Sequence, residues 1–339
     1  MSEKSKPPAP AAFQMISMGD AVIDIFLSFD QTNKKIRLDE GAKELRIAFG
    51  EKIDVDSYVF SLGGNAANVS VGLARLGIET AFFTETGDDE FSLKIINILE
   101  KEGLDRKYIT EARNQTASMS IAINYEGDRT MFVQHVRRDH QFEFAGVKAE
   151  FFYLTALGHA WKDAYLKALD YCVQSGSKLA FNPGSLQLRE GGAILGQVLK
   201  SAEFVFLNKE EAERIVFGNE KPGLAGQDYM RSLLAKVRAL GPRIAVITDG
   251  ADGSFARDQD GVFYAEKPDA TEVVERTGAG DGYTAGFLAA IIRNQDIRTA
   301  MRWGSLNAAS VVRMVGAQAG LLKKSDLETQ LLAGMAVKK

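Results

Sequence analysis

Apolar residues along the chain fall into short continuous runs separated by stretches with helical spacing. Met15–Gly19, Thr80–Thr86, Phe151–Leu157, Lys178–Asn182, Phe204–Asn208 and Arg243–Thr248 predict buried strands. Runs without polar alternation are what a parallel sheet covered on both faces requires. Between them the spacing turns helical. Ala66–Leu76 places Val69, Leu73 and Leu76 on one stripe and stops at Gly77. Leu93–Glu102 stops at Gly103, and Ala164–Val173 ends just before Gly176. Glycine beyond the last periodic residue is a common helix stop. This regular alternation predicts an α/β fold with a doubly wound, mostly parallel sheet and helices on both faces.

Two segments, 25–62 and 117–136, break the rhythm. They carry period-two patterns such as Ser118-Met119-Ser120-Ile121-Ala122-Ile123 and Thr130-Met131-Phe132-Val133. Such alternation belongs to strands with one face solvated or covered by a partner, so these segments are expected to form a small β-lid over the core. Gly253–Glu266 reads as a hairpin around Asp260-Gly261. The first fourteen residues, rich in Lys, Ser, Pro and Ala, read as a disordered tail without the apolar stretch of a signal peptide. Residues 15–339 are then one domain.

Composition narrows the classes. The chain has 339 residues, of which 45% are hydrophobic and 25% charged, the balance of a globular enzyme. A net charge of −4 supplies no basic field for nucleic acid or anionic lipid. The single cysteine, Cys172, falls on a helical stripe with Leu169 and Val173 and reads as buried core. It excludes an intrachain disulfide and suits a reducing compartment, so a cytoplasmic location is expected. The run Phe287–Ile292 is too short to span a membrane.

Chemistry concentrates in a few segments. In Glu275-Arg276-Thr277-Gly278-Ala279-Gly280-Asp281, two glycines flank an alanine just ahead of a helix expected from about Gly282 to Arg293. A backbone free to curl there turns successive N–H groups into one concavity, and the helix start adds unpaired donors and the positive end of its dipole. The result is an anion hole suited to a transferring phosphoryl group. The dipole should also keep Asp281 ionised, ready to take a proton from an attacking hydroxyl. Taken alone, the same residues fit an N-cap and a tight turn equally well.

Ser61-Leu62-Gly63-Gly64-Asn65-Ala66-Ala67-Asn68 leads into a helix. Its glycines let a polyol approach the backbone, beside the amides of Asn65 and Asn68. Asp24, in Gly19-Asp20-Ala21-Val22-Ile23-Asp24, lies beyond the first strand, at the carboxyl end where such sheets bind ligands. It could accept hydrogen bonds from vicinal hydroxyls, or be a solvated loop acid. Asn208 and Glu211 have capping-box spacing after another strand and could also organise water around a phosphate-bound Mg²⁺. Thr248-Asp249-Gly250-Ala251-Asp252-Gly253 permits close approach of a nucleotide, or is a bare turn.

In this order, over residues 15–335, these motifs resemble the ribokinase-like (phosphofructokinase B-type) family of carbohydrate and nucleoside kinases. The more specific matches are Gly63-Gly64 with the asparagines and Gly77, and Thr277-Gly-Ala-Gly-Asp281. The resemblance implies a Rossmann-like core with a β-lid, and in-line transfer of the γ-phosphoryl group of ATP to a hydroxyl of a small sugar such as ribose, fructose or 2-keto-3-deoxygluconate. An adenosine- or inosine-type nucleoside kinase is the alternative. An inactive sugar- or nucleotide-binding regulator is a further one, disfavoured by the retained Asp281. The resemblance makes Asp281 the base and Gly278, Ala279 and Gly280 the anion hole. Asp24, Gly63, Gly64 and Asn68 become substrate ligands, with Asn65 a weaker match. It assigns Asn208, Thr248, Gly250, Gly253, Gly278, Gly280 and Asn307 to the nucleotide, and Glu211 to Mg²⁺ through water. It also implies a monovalent cation such as K⁺ at Glu275 and Gly316, and a homodimer formed through the lids.

Some positions depart from the pattern. Glu275 stands where the family usually has Asp, Arg276 where Thr is common, and Phe181-Asn182-Pro183-Gly184 where Asp-Pro-Asn is more frequent. The long insert between Asp24 and Gly63 leaves room for a bulkier substrate. His135, His140 and His159 are too scattered for a zinc pattern. No Gly-Lys phosphate loop and no Gly-x-Gly-x-x-Gly fingerprint occur. His135 and Arg138 follow a lid strand and read as surface residues within possible reach of substrate, and the Arg137-Arg138 and Lys323-Lys324 pairs read as solvated.

Overall fold

A strand with no solvent-facing side must be flanked by others, and Ala11–Met18 (β1), buried from Met15 to Met18, is an interior strand of a nine-stranded sheet. The computed structural model describes residues 11–336 apart from 30–31, 40, 127, 219–224 and 269–271. The lid strands follow as β2 (Val22–Ser28), β3 (Ile36–Asp39), β4 (Glu44–Ile47) and β5 (Ser57–Gly63). The chain re-enters the core through α1 (Asn65–Arg75), β6 (Thr80–Thr86), α2 (Glu90–Lys101) and β7 (Ile109–Glu111). A second excursion supplies β8 (Met119–Tyr125) and β9 (Asp128–Gln134). Next come β10 (Val147–Leu154), α3 (Trp161–Ser175), β11 (Lys178–Phe181), α4 (Ser185–Glu190), α5 (Gly192–Ser201) and β12 (Ala202–Asn208). The rest is α6 (Lys209–Phe217), α7 (Gly226–Ala239), β13 (Ile244–Thr248), β14 (Ser254–Arg257), β15 (Phe263–Glu266), α8 (Ala279–Ile292), α9 (Ile297–Val311) and α10 (Lys324–Ala336).

The main sheet runs β15-β14-β13-β12-β11-β10-β1-β6-β7. It is parallel from β13 to β7, and only the β14–β15 hairpin at one edge is antiparallel. Each strand face has its own core. Phe152, Leu154, Phe181 and Val205 pack beneath α3, α5 and α7, while Met15, Phe151, Phe204 and Val246 pack against α8 and α9. A third cluster joins α1 and α2 to the lid strand β2. Helix α8 is buried almost all round from Gly282 to Ala290, which fixes its N-terminal turn rigidly against the sheet. Among the described residues no helix is long and apolar enough to cross a membrane.

The expected elements are present, with shifted ends. Strand β1 begins at Ala11 rather than Met15, because Ala11–Phe13 pair with Val147–Ala149 despite their partial exposure. Residues 1–10 of the expected tail lie outside the described residues. The lid is a four-stranded sheet in the order β5-β2-β8-β9, drawn from both alternating segments, and the long insert adds a separate β3–β4 hairpin.

Candidate active site

The carboxyl ends of β1, β11, β12 and β13 face the inner side of the lid across a cavity of about 420 Å³. Asp20, Asp24, Gly64, Asn65, Asn68, Asn208, Glu211, Thr248, Gly278, Gly280 and Asp281 all line it. Motifs up to 261 residues apart in sequence thus meet in one cleft, where ligands of such sheets bind.

Asp24 sits on β2, directly opposite Ser120 of β8 and Ser61 of β5. It is 5% exposed and accepts a short hydrogen bond from the Ser120 hydroxyl. Burial pushes its carboxyl up to about 6, against the Ser120 bond; the Glu275 carboxylate adds to the rise and Arg129 opposes it. Gly63 closes β5 beside it, and a Cβ there would lie 1.9 Å from Asp24 Oδ2. Gly63 therefore serves the packing of the Asp24 carboxylate before any ligand arrives, whereas a Cβ on Gly64 would lie 2.3 Å from Asp20 O.

Asn65 and Asn68 lie on the first turns of α1 but do different things. Asn65 Nδ2 donates to Asn182 Oδ1 at 3.3 Å. Asn68 Nδ2 donates to Asp281 Oδ2 at 2.8 Å, and its Oδ1 accepts from Gln318 Nε2 at 3.0 Å. Asn68, expected to hold substrate hydroxyls, thus spends both ends of its amide on protein groups and orients Asp281.

Helix α8 begins earlier than expected. Gly278 is its N-cap at φ 78°, and Ala279, Gly280 and Asp281 form the first turn. A Cβ on Gly278 would lie 2.5 Å from the Ala317 side chain, so glycine is required there for space as well as for its left-handed backbone. The Ala279 N–H turns back to Arg276 O at 3.3 Å. The N–H groups of Gly280 and Asp281 occupy helix positions that have no intrahelical acceptor. Asp281 faces the cleft with part of its surface open, yet dense protein surrounds it. Desolvation pushes its carboxyl up to about 7 despite the Asn68 bond, with Glu211 and Asp24 adding to the rise. The helix dipole, expected to keep Asp281 ionised, is opposed there by the loss of water around the carboxyl.

Asn208 and Glu211 form a full capping box. Glu211 N donates to Asn208 Oδ1 at 2.8 Å, and Asn208 N donates to Glu211 Oε2 at 2.9 Å. Both still line the cavity, and burial raises the Glu211 carboxyl above its ordinary value. Of the expected nucleotide loop, Thr248 reaches the cavity, whereas Gly250 and Gly253 are not among its lining residues. A Cβ on Gly253 would lie 2.2 Å from Glu266 O, so the β14–β15 hairpin requires that glycine. Asn307 also departs from expectation. It is fully buried, donates to Gly282 O at 2.7 Å and accepts from Leu322 N at 2.9 Å, which ties α8 and α9 to the segment before α10 behind the cleft. Glu275 is buried beneath the lid, where Oε1 lies 3.1 Å from Arg129 Nη1, and Gly316 lies next to Ser61 of β5.

Several lining residues carried no motif. Arg129, Met131, Val133 and His135 all face the cavity from β9 and the residue just beyond it. They share one parity, so the alternation held the signal once the inward phase was known. Arg138 is no surface residue. It is 6% exposed, with its guanidinium bonded to Ser118 Oγ and Thr116 O, because the chain leaving β9 folds back beneath β8. Cys172 is buried as expected.

This fold and cleft define an α/β protein whose lid and sheet enclose one acidic cavity at the carboxyl ends of the strands. The chain matches the pfkB family of carbohydrate kinases over residues 26–324, and it belongs to that family. It is 26% identical over 320 residues to a 5-dehydro-2-deoxygluconokinase of Clostridium perfringens, a match covering 85% of this chain and 90% of the relative. An Arabidopsis thaliana ribokinase complexed with ribose and ATP superposes with a TM-score of 0.73 at 18% identity, over 96% of this chain and 99% of that one. A Burkholderia thailandensis nucleoside kinase in complex with inosine gives a TM-score of 0.70 at 17% identity, over 93% and 97%. At such identities these two structures establish the shared fold. The protein is therefore a kinase of the pfkB carbohydrate-kinase family, a phosphotransferase that uses ATP.

Proposed function

We propose that this kinase transfers the γ-phosphoryl group of ATP to a hydroxyl of a small sugar, with Asp281 as general base. The observation that carries this reading is the Asn68–Asp281 hydrogen bond. It holds Oδ2 and leaves Oδ1 for the incoming hydroxyl, at the mouth of a helix whose Gly280 and Asp281 N–H groups are left for the phosphoryl oxygens. Asp24, steadied by Ser120, holds further hydroxyls of the acceptor. Closure of the lid excludes water that would otherwise take the phosphoryl group.

Val22, Met119, Met131 and Val133 form the lid-side wall, and Phe206, from the core, is the one Phe, Tyr or Trp among the described lining residues. That wall suits the carbon skeleton of a sugar better than it provides a stacking platform for a purine. Among the described residues no three His, Cys, Asp or Glu side chains converge as a metal cage. Mg²⁺ fits the site as a companion of the nucleotide phosphates, with the half-buried Glu211 carboxylate holding it through water. When bound there it would neutralise phosphate charge.

The deciding experiment is a coupled ATPase and product assay on ribose, fructose, 2-keto-3-deoxygluconate, 5-dehydro-2-deoxygluconate, adenosine and inosine. A sugar should be the best acceptor, and Asp281→Asn should lower its turnover by on the order of 10²–10⁴ while the fold persists. Preferred phosphorylation of adenosine or inosine, or near-normal turnover by Asp281→Asn, would overturn the reading. The lid also leaves Tyr58, Val59 and Phe132 exposed, which supports pairing of two copies through their lids. Sedimentation should then give a dimer for the native chain and a monomer for Phe132→Asp.

A further inference from the structure

Glu275 lies two residues before Thr277 and is 7% exposed. Its Oε1 accepts from Thr277 N at 2.7 Å and from Thr277 Oγ1 at 2.5 Å, which fixes the turn that opens α8. The same oxygen lies 3.1 Å from Nη1 of Arg129, a residue of the lid strand β9 that also lines the cavity. One charged contact therefore joins the lid to the loop that sets the first turn of α8. A buried carboxylate left without a counter-charge there would be costly.

We infer that Arg129 is a positioning residue that acts as the resident cation of Glu275. Closing the lid delivers the guanidinium to Glu275, and Glu275 in turn sets Thr277, Gly278 and the N–H donors of α8. The monovalent cation expected at Glu275 and Gly316 does not fit this arrangement, since it would share a single buried carboxylate with a guanidinium already 3.1 Å away. The other oxygen, Oε2, is buried without a hydrogen-bond partner. It becomes the second tooth of a bidentate pair as the lid tightens. Glutamate, one carbon longer than aspartate, reaches toward the lid where the shorter side chain would stop. Anion-hole assembly is thereby tied to lid closure rather than to the salt in solution.

The inference rests on the first turn of α8 being the anion hole, and its test separates the two ideas. Turnover with the best acceptor, and calorimetric binding of a non-hydrolysable ATP analogue, are measured in K⁺, Na⁺ and tetramethylammonium chlorides at equal ionic strength. The native enzyme should vary less than about 2-fold among the salts in both measurements. Arg129→Met should lower kcat by about 10- to 100-fold, the range for a misplaced catalytic constellation, with a smaller change in KM for ATP. It should also gain K⁺ stimulation, while Arg129→Lys recovers part of kcat. Adding Glu275→Gln to Arg129→Met should cost little more than Arg129→Met alone. Strong K⁺ dependence of the native enzyme, or additive losses in the double variant, would overturn the inference. Analogue binding needs no acceptor, so its salt response is informative even if every sugar in the panel fails.

Discussion

Asp281 shows how one carboxylate can be costly to the fold and useful to the reaction. Its ordinary value of 3.8 rises to about 7 in the folded chain. Between about pH 4 and 7 the folded state keeps a proton that the unfolded state has lost, so stability falls as pH rises through that window and levels off above it. Asp281→Asn removes the penalty. Thermal unfolding should show the variant more stable than the native chain at pH 8, with the difference gone near pH 4. Activity has the opposite dependence, because a base must be ionised. The free-enzyme kcat/KM should climb with pH through about 7. Asn68 lowers the Asp281 value through its hydrogen bond, so Asn68→Ala should move that limb to higher pH. A limb unmoved in the variant would show that Asn68 does not set the base. The sequence singled out Asp281 and Asn68 but not their bond, since no local pattern links residues 213 positions apart.

At the scale of elements, the capping box of α6 was legible because its chemistry is local. Asn208 and Glu211 satisfy each other's backbone donors within one turn, whatever lies around them. That they also border the cavity depends on where β12 ends in the sheet. Asn208→Ala should cost about 1 kcal/mol of stability, the usual loss of a cap, and should also raise KM for MgATP. An unchanged KM with the stability loss present would leave Asn208 a cap and nothing more. Of the expected nucleotide loop only Thr248 borders the cavity, for the same reason in reverse. Glycine-rich turns look alike in sequence, and the Gly253 position was decided by its approach to Glu266 on the neighbouring strand. The lid strands were legible as alternation, but their inward phase was not, and Arg129 was missed with it.

For the whole molecule, the lone thiol is a natural reporter. Cys172 of α3 is buried, and desolvation pushes it from 9.0 up to about 12. About 10³-fold less thiolate is then present at neutral pH than for a free thiol of ordinary acidity, so the native chain should resist labelling by a disulfide reagent. Labelling should follow the denaturation curve measured by circular dichroism. Rapid reaction of the native protein would mean that α3 detaches from the sheet on its own.

The run-and-glycine pattern by itself determined the doubly wound sheet, the lid segments and the motif residues, because strand burial, helix periodicity and caps are short-range properties. Tertiary structure alone decided the raised carboxyl of Asp281, the diversion of Asn68 and Asn307 to protein partners, and the contact of Arg129 with Glu275. Desolvation and pairing across the fold depend on which distant atoms exclude water, and chain order does not carry that information.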